Sequence, residues 1–262
     1  MIKIKNLTKI NETPVNEFNV IKKLFFFKKY SNSNLTNQFV SLRNINLEIV
    51  DNKKVFIIGK PGSGKSSLFS VLSKKVDYDY GQLTISNNMF SSTLIRIPPN
   101  LITGLKIKDY VKTIMSFILK NEVDNIDRLS VKVFEIMNLD KSDQEKYFYE
   151  FDILFFRRLM VAISIYSKAK NFLFDNFKFN LQDNKFIKIF DEYLINNQKA
   201  NHLFFGCKQL NFLRKYASKI LILDKGEIVK FEDQLNITDE EIKYYTKSDN
   251  DIEEFLEDDD EI

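Results

Sequence analysis

The sequence predicts an α/β fold, a mixed but mostly parallel sheet with a helical subdomain between its two halves. Three observations carry that prediction. A glycine-rich loop at residues 59–66 leaves an apolar run and enters a helix. Apolar strand-like runs recur at 171–174, 203–205 and 220–223. Between these β-rich parts, residues 107–167 show helical periodicity.

Length and composition limit what such a fold can do. The 262 residues make one ordinary globular domain with room for a subdomain. A single Cys forms no internal disulfide and no Cys-rich zinc site, and a single His offers no imidazole pair to a metal. Secreted disulfide scaffolds and most metalloenzymes are thereby excluded. No run approaches the roughly 18 apolar residues that cross a bilayer, and residues 1–9 lack the apolar core of a signal peptide, so a cytosolic chain is expected.

The charge is unevenly placed. Net charge is +3, yet residues 249–262 carry nine acidic groups and no basic one. The rest of the chain holds 39 basic groups against the 27 remaining acidic ones, a net of +12. A basic body suits nucleic acid or an anionic membrane surface. Lys and Asn enrichment with few Gly and Pro also follows from AT-biased codon usage, and no nucleic-acid partner is expected. Residues 236–262 read as an acidic tail, solvated and disordered.

Residues 1–7 alternate apolar and polar positions as an edge strand does, and residues 40–49 do so again. Between them, residues 10–38 form an insertion, polar at both ends around Leu24, Phe25, Phe26 and Phe27. The run Val55-Phe56-Ile57-Ile58 then leads into Gly59-Lys60-Pro61-Gly62-Ser63-Gly64-Lys65-Ser66, a gapless match to GxxxxGK[ST], with Ser67 opening the helix beyond. This is a P-loop, and each residue type has a reason. Gly62 and Gly64 can take positive φ, so backbone N–H groups curl around phosphate oxygens at a helix N-terminus of partial positive charge. Lys65 reaches the β- and γ-phosphates, and the Ser66 hydroxyl helps to hold Mg²⁺.

After a strand at 81–85, apolar residues at 107, 110, 111, 114, 115 and 118 mark one face of a helix. Further helices are expected over 129–138 and 157–167. The strand at 171–174 ends in Asp175, and that at 203–205 ends in Gly206. The strand at 220–223 turns through Asp224-Lys225-Gly226 into 227–229. Ligand sites in such sheets lie at the carboxyl ends of strands, where Asp175 is placed as the second, Walker-B group on Mg²⁺.

In this order the pieces resemble the ATP-binding subunit of an ABC transporter over about residues 1–235. Residues 42–49 resemble the strand that precedes the family's P-loop, 158–165 the helix after its signature motif, and 217–229 its closing strand pair. Leu24-Phe25-Phe26 and Ile102-Thr103-Gly104 are similar to marks of the teichoic acid or capsular polysaccharide exporter type, with the oligopeptide-transporter type second. The resemblance implies a P-loop NTPase of the ABC type. Its nucleotide-binding core would be 1–90 with 170–235, and its helical subdomain 91–169. It further implies ATP with Mg²⁺ as ligand, a membrane permease as partner, and a second nucleotide-binding subunit in a homo- or heterodimer. The chain would then be peripheral on the inner face of the cell membrane.

The departures from the family are specific. Its glycine-rich signature falls on Phe151-Asp152-Ile153-Leu154-Phe155, and the chain has no Gly-Gly pair. A bulky segment cannot bring backbone amides against a phosphate. Asn176 stands where the family has its general-base Glu, and Lys208, beside Cys207, where it has its switch His. Asn accepts no proton, so general-base assistance of about 10² to 10⁴ in rate would be missing. The Q-loop position falls near Pro99 and the D-loop aspartate near Gln182. The adenine-stacking aromatic is absent near Asn11, and Phe25, Phe26 or Phe39 could substitute. ATP binding with impaired or absent hydrolysis is therefore expected. The alternatives are a non-transport regulator or adaptor with this fold, or another P-loop enzyme such as a small kinase.

Overall fold

The computed structural model describes residues 1–14, 36–87, 89–91, 104–119, 123–166, 169–175, 187–188, 191, 201–205 and 210–246. Strands β1 (Ile2–Pro14) and β2 (Thr36–Ile49) precede β3 (Lys54–Ile58) and helix α1 (Lys65–Leu72), and β4 (Tyr80–Ile85) follows. β2, β1 and β4 form one antiparallel sheet in that order. β1 is thus the middle strand, where the alternation at 1–7 suggests an edge. Alternation reports which face is buried, here Ile2, Ile4 and Leu7, and not how many neighbours the backbone pairs with.

The second sheet adds β5 (Met89–Ser91), β6 (Asn171–Asp175), β7 (Asn201–Phe205), β8 (Lys219–Asp224) and β9 (Glu227–Asp233) to β3, in the order β5-β6-β7-β3-β8-β9. Every pair is parallel except β8–β9, which makes the sheet mixed. Val55, Ile57, Leu173, Leu203, Leu221 and Leu223 face α1 and the first sheet, where they meet Leu68, Phe69, Leu72, Ile2 and Ile4. Phe56, Ile58, Phe172, Phe174, Ile220 and Ile222 face a layer of helices on the other side. Burial on both faces explains why these strands read as unbroken apolar runs.

The helices are α2 (Ile107–Leu119), α3 (Val123–Met137), α4 (Lys141–Gln144), α5 (Ile153–Ile165), α6 (Leu210–Tyr216) and α7 (Asp239–Thr246). Ile107, Tyr110, Val111, Ile114 and Met115 of α2 are buried, in agreement with the periodicity. α3 starts at Val123, ahead of the expected 129. α5 starts at Ile153, ahead of the expected 157, because the Asp152 carboxylate accepts the Phe155 N–H at 2.6 Å and caps the first turn.

Residues 236–262 do not read correctly as one disordered tail, since 239–246 form α7. Thr238 and Glu241 make a capping box: the Glu241 N–H donates to the Thr238 hydroxyl, and the Thr238 N–H donates to the Glu241 carboxylate, both at 3.1 Å. Lys230, 2.7 Å from Glu241, and then the Thr238 N–H hold that carboxyl below its ordinary value. Ile237 and Ile242 are each 1% exposed. Two buried isoleucines and a cap outweigh the acidic composition. Arg214 of α6 completes the attachment by donating to the Gln234 carbonyl at 2.5 Å, the Ile237 carbonyl at 2.7 Å and the Asp239 carboxylate at 2.8 Å. Arg214→Ala should cost about 1–3 kcal/mol. Amide exchange should accelerate over 237–246 more than in β8, as read by hydrogen-exchange mass spectrometry.

Candidate functional site

The P-loop runs from the carboxyl end of β3 to Gly64, the residue before α1, which has φ 101° and ψ 0°. No side chain caps α1, and its first turn contains no acidic residue. The positive end of the helix is therefore not offset locally by a negative side chain. A Cβ on Gly64 would come within 2.6 Å of the Ser41 carbonyl oxygen and 3.3 Å of Gly226 Cα. Gly62 has φ 78°, but a Cβ there would meet nothing within 4 Å.

Distant segments seat the loop. The Gly226 N–H donates to the Ser63 carbonyl at 3.1 Å, and the Arg43 N–H donates to the Gly226 carbonyl at 2.7 Å. The turn between β8 and β9 and residues 41–43 of β2 thus form a socket that the local motif does not announce. The Asp-Lys-Gly turn was the available signal, but its contact with the loop depends on β8 lying beside β3. Within the loop, the Lys65 ammonium donates to the Gly59 carbonyl, to the Lys60 carbonyl at 2.8 Å and to the Ser63 hydroxyl at 3.1 Å. These bonds lay the cation along the loop. Ser66, in the first turn of α1, is exposed.

Asp175 is the last residue of β6 and pairs with Phe205 of β7, which pairs in turn with Ile57 of β3. Its backbone therefore lies in one row with Ile57, two strand spacings or about 10 Å away, at the sheet edge that carries the loop. Asn176, Lys208, Cys207, Pro99 and Gln182 lie outside the described residues, as do Phe25 and Phe26. Phe39 does not. It pairs directly with Asn11, so the two side chains share a face, and the Asn11 amide donates to the Ser67 hydroxyl of α1 at 3.4 Å. The Phe39 ring is 49% exposed. Asp79 fixes this part of β1: its carboxylate accepts the Ile10 N–H at 2.6 Å and Lys9 at 3.2 Å, and the Ile10 N–H chiefly holds it below its ordinary pKa.

Two further features border the loop or belong to the helical layer. The Lys60 ammonium lies 4.0 Å from the centroid of the Tyr244 ring on α7, a cation–π contact. At the start of α5, the Phe151 and Phe155 rings stack with centroids 4.0 Å apart, and Asp152 occupies the cap. The helix end that the resemblance assigns to phosphate binding thus carries a carboxylate and two stacked rings.

A family model described as ABC transporter matches residues 42–178, more than half of the chain and inclusive of the loop and Asp175. The ATP-binding protein Uup of Buchnera aphidicola subsp. Acyrthosiphon pisum (strain APS) is 24% identical over 204 residues, 76% of this chain and 33% of that protein. The Uup protein of Buchnera aphidicola subsp. Schizaphis graminum (strain Sg) is 24% identical over 196 residues, 72% of this chain and 31% of that protein. The chain therefore spans about a third of the length of these curated relatives. The glutamate transport ATP-binding protein GluA of Corynebacterium efficiens is 23% identical over 207 residues, 74% of this chain and 85% of that protein. Among solved structures, a dimeric ATP-binding cassette in a post-hydrolysis state bound to ADP and Pi matches with a TM-score of 0.66 at 17% identity. That match covers 89% of this chain and 98% of that chain, a likeness of fold. With a P-loop seated at the carboxyl edge of a mostly parallel sheet and the family match running through it, the chain belongs to the ABC transporter family, as an ATP-binding domain.

Proposed function

We propose that the chain is the ATP-binding subunit of an ABC transporter, an exporter, that binds Mg-ATP with impaired or absent hydrolysis. The observation that carries the binding reading is the loop itself: an uncapped helix start, glycines in the left-handed region and the Lys65 cation laid along the loop. The donor set fits a triphosphate. Gly59, Lys60, Pro61, Gly62, Ser63, Gly64, Lys65, Ser66 and Ser67 would wrap the phosphates, Pro61 shaping the loop without a donor of its own, and Ser66 with Asp175 would hold Mg²⁺. When bound, the metal neutralises charge on the phosphate oxygens. Titration of the chain with Mg-ATP tests this reading, and no affinity in the millimolar range or better would overturn it.

Weak turnover rests on three residues. Asn176 cannot take a proton from water, Lys208 cannot accept a hydrogen bond, and Asp152 places a negative charge at the start of α5. Phosphate release by the isolated chain should equal that of Lys65→Ala within error, and steady release well above that control would overturn this part. The base would stack on Phe39, which stands beside Asn11 and the loop helix. Phe39→Ala should weaken ATP binding about 5- to 30-fold and leave inorganic tripolyphosphate unaffected, since stacking contributes about 1–2 kcal/mol.

The partners would be a membrane permease and a second nucleotide-binding subunit, in a homo- or heterodimer at the inner face of the cell membrane. Among the described residues, no helix is long and apolar enough to cross a membrane. The division into a core of 1–90 with 170–235 and a helical subdomain of 91–169 belongs to this proposal. The polysaccharide-exporter type rests on residues 24–26 and 102–104, of which only Gly104 is among the described residues. A non-transport regulator is the second reading, favoured by the Asp152 cap on α5. Co-purification with a polytopic membrane protein separates the two.

A further inference from the structure

We propose that Tyr244 of α7 is a positioning residue of the phosphate site: its ring holds the Lys60 ammonium against α7, and a triphosphate in the loop draws that ammonium away. Nucleotide binding is thereby coupled to the attachment of the last turn of α7. The proposal rests on the reading of residues 59–67 as a triphosphate site.

The two cations of the loop differ in what they touch. The Lys65 ammonium meets three loop oxygens. The Lys60 ammonium makes no hydrogen bond or ion pair among the described residues and lies 4.0 Å from the centroid of the Tyr244 ring. Its N–H donors thus face a π surface and solvent. The Lys60 carbonyl accepts the Ser63 N–H at 3.1 Å and the Lys65 ammonium at 2.8 Å, so the residue that α7 holds is itself bonded into the loop. A cation over an exposed ring is held less firmly than one on a charged oxygen, and a phosphate in the loop is the better partner.

The ring is held in place from below. Tyr244 lies two residues past Ile242, which is 1% exposed, and its ring meets that of Tyr245 edge to face with centroids 4.9 Å apart. Tyr245 packs against the core that contains Phe56 and Ile58 of β3, the strand that leads into the loop. Arg214 and the Lys230–Glu241 pair hold the start of α7. One end of α7 is thus bound to the body while the other touches the loop, and the position of Lys60 and the order of residues 243–246 depend on each other. Such coupling is reciprocal: the ring's hold on Lys60 is subtracted from nucleotide affinity, and a nucleotide that takes Lys60 from the ring loosens the turn.

Titration of the full chain and its variants with a non-cleavable ATP analogue tests the coupling. Tyr244→Ala should bind the analogue about 2- to 5-fold more tightly than the wild type, the factor that an exposed cation–π contact supplies. Tyr244→Phe keeps the ring and should match the wild type. On a Lys60→Gln background the gain from Tyr244→Ala should vanish. In hydrogen exchange, the analogue should speed the amides of 243–246 in the wild type, whereas in Lys60→Gln they should be fast with or without it. Unchanged or weaker binding by Tyr244→Ala, a Tyr244→Phe variant that behaves like it, or a gain that persists without Lys60 overturns the proposal and leaves the nucleotide site standing. If the wild type does not bind the analogue, the triphosphate reading fails and this proposal with it.

Discussion

Lys65→Ala should lower the affinity for Mg-ATP about 30- to 150-fold, measured by titration calorimetry or with a fluorescent analogue. The ammonium already spends its donors on loop oxygens: the Gly59 and Lys60 carbonyls and the Ser63 hydroxyl. Exchange of these neutral acceptors for phosphate oxygens puts an anion opposite the ammonium, so each bond gains an opposite charge on its acceptor side. Such a bond contributes about 2–3 kcal/mol, which sets the expected fold-change. A variant that binds Mg-ATP as well as the wild type would remove the central role of this loop.

Gly64→Ala should lower the unfolding free energy by about 2–5 kcal/mol. At φ 101° an L side chain pays about 1–2 kcal/mol in backbone strain. The new methyl would also stand 2.6 Å from the Ser41 carbonyl oxygen and 3.2 Å from Leu42 Cδ2. Both belong to β2, whose pairing with β1 leaves little freedom to yield, and overpacking of this kind adds about 1–3 kcal/mol. For a chain of this size the melting temperature should drop by roughly 5–15 °C. Gly62→Ala is the control, since at φ 78° it carries the strain but no contact, and should cost about 1–2 kcal/mol. Equal losses in the two variants, by differential scanning calorimetry, would show that the socket does not constrain the loop.

The P-loop was legible because all of its requirements are local. Glycines at the left-handed positions, the Lys and Ser at the helix start, and the apolar run of β3 lie within a dozen consecutive residues. The placement of Asp175 at the loop's edge of the sheet was also legible, since parallel strands put their carboxyl ends together. β1 was misplaced as an edge because hydrophobic alternation does not count backbone partners. α7 was hidden in the acidic stretch because composition conceals a capping box, Thr238 to Glu241, and two isoleucines that bury against distant elements.

By itself, then, the order of residues determined the α/β class and the glycine-rich loop that leads from β3 into α1, because these follow from short-range periodicity and from the backbone preferences of glycine. Only the tertiary structure decided what surrounds the loop: Ser41 and Gly226 beneath it, Asn11 with Phe39 at its rim, and Tyr244 on Lys60. Those contacts join residues tens to nearly two hundred positions apart. They depend on strand order and cross-strand register, which no local pattern encodes.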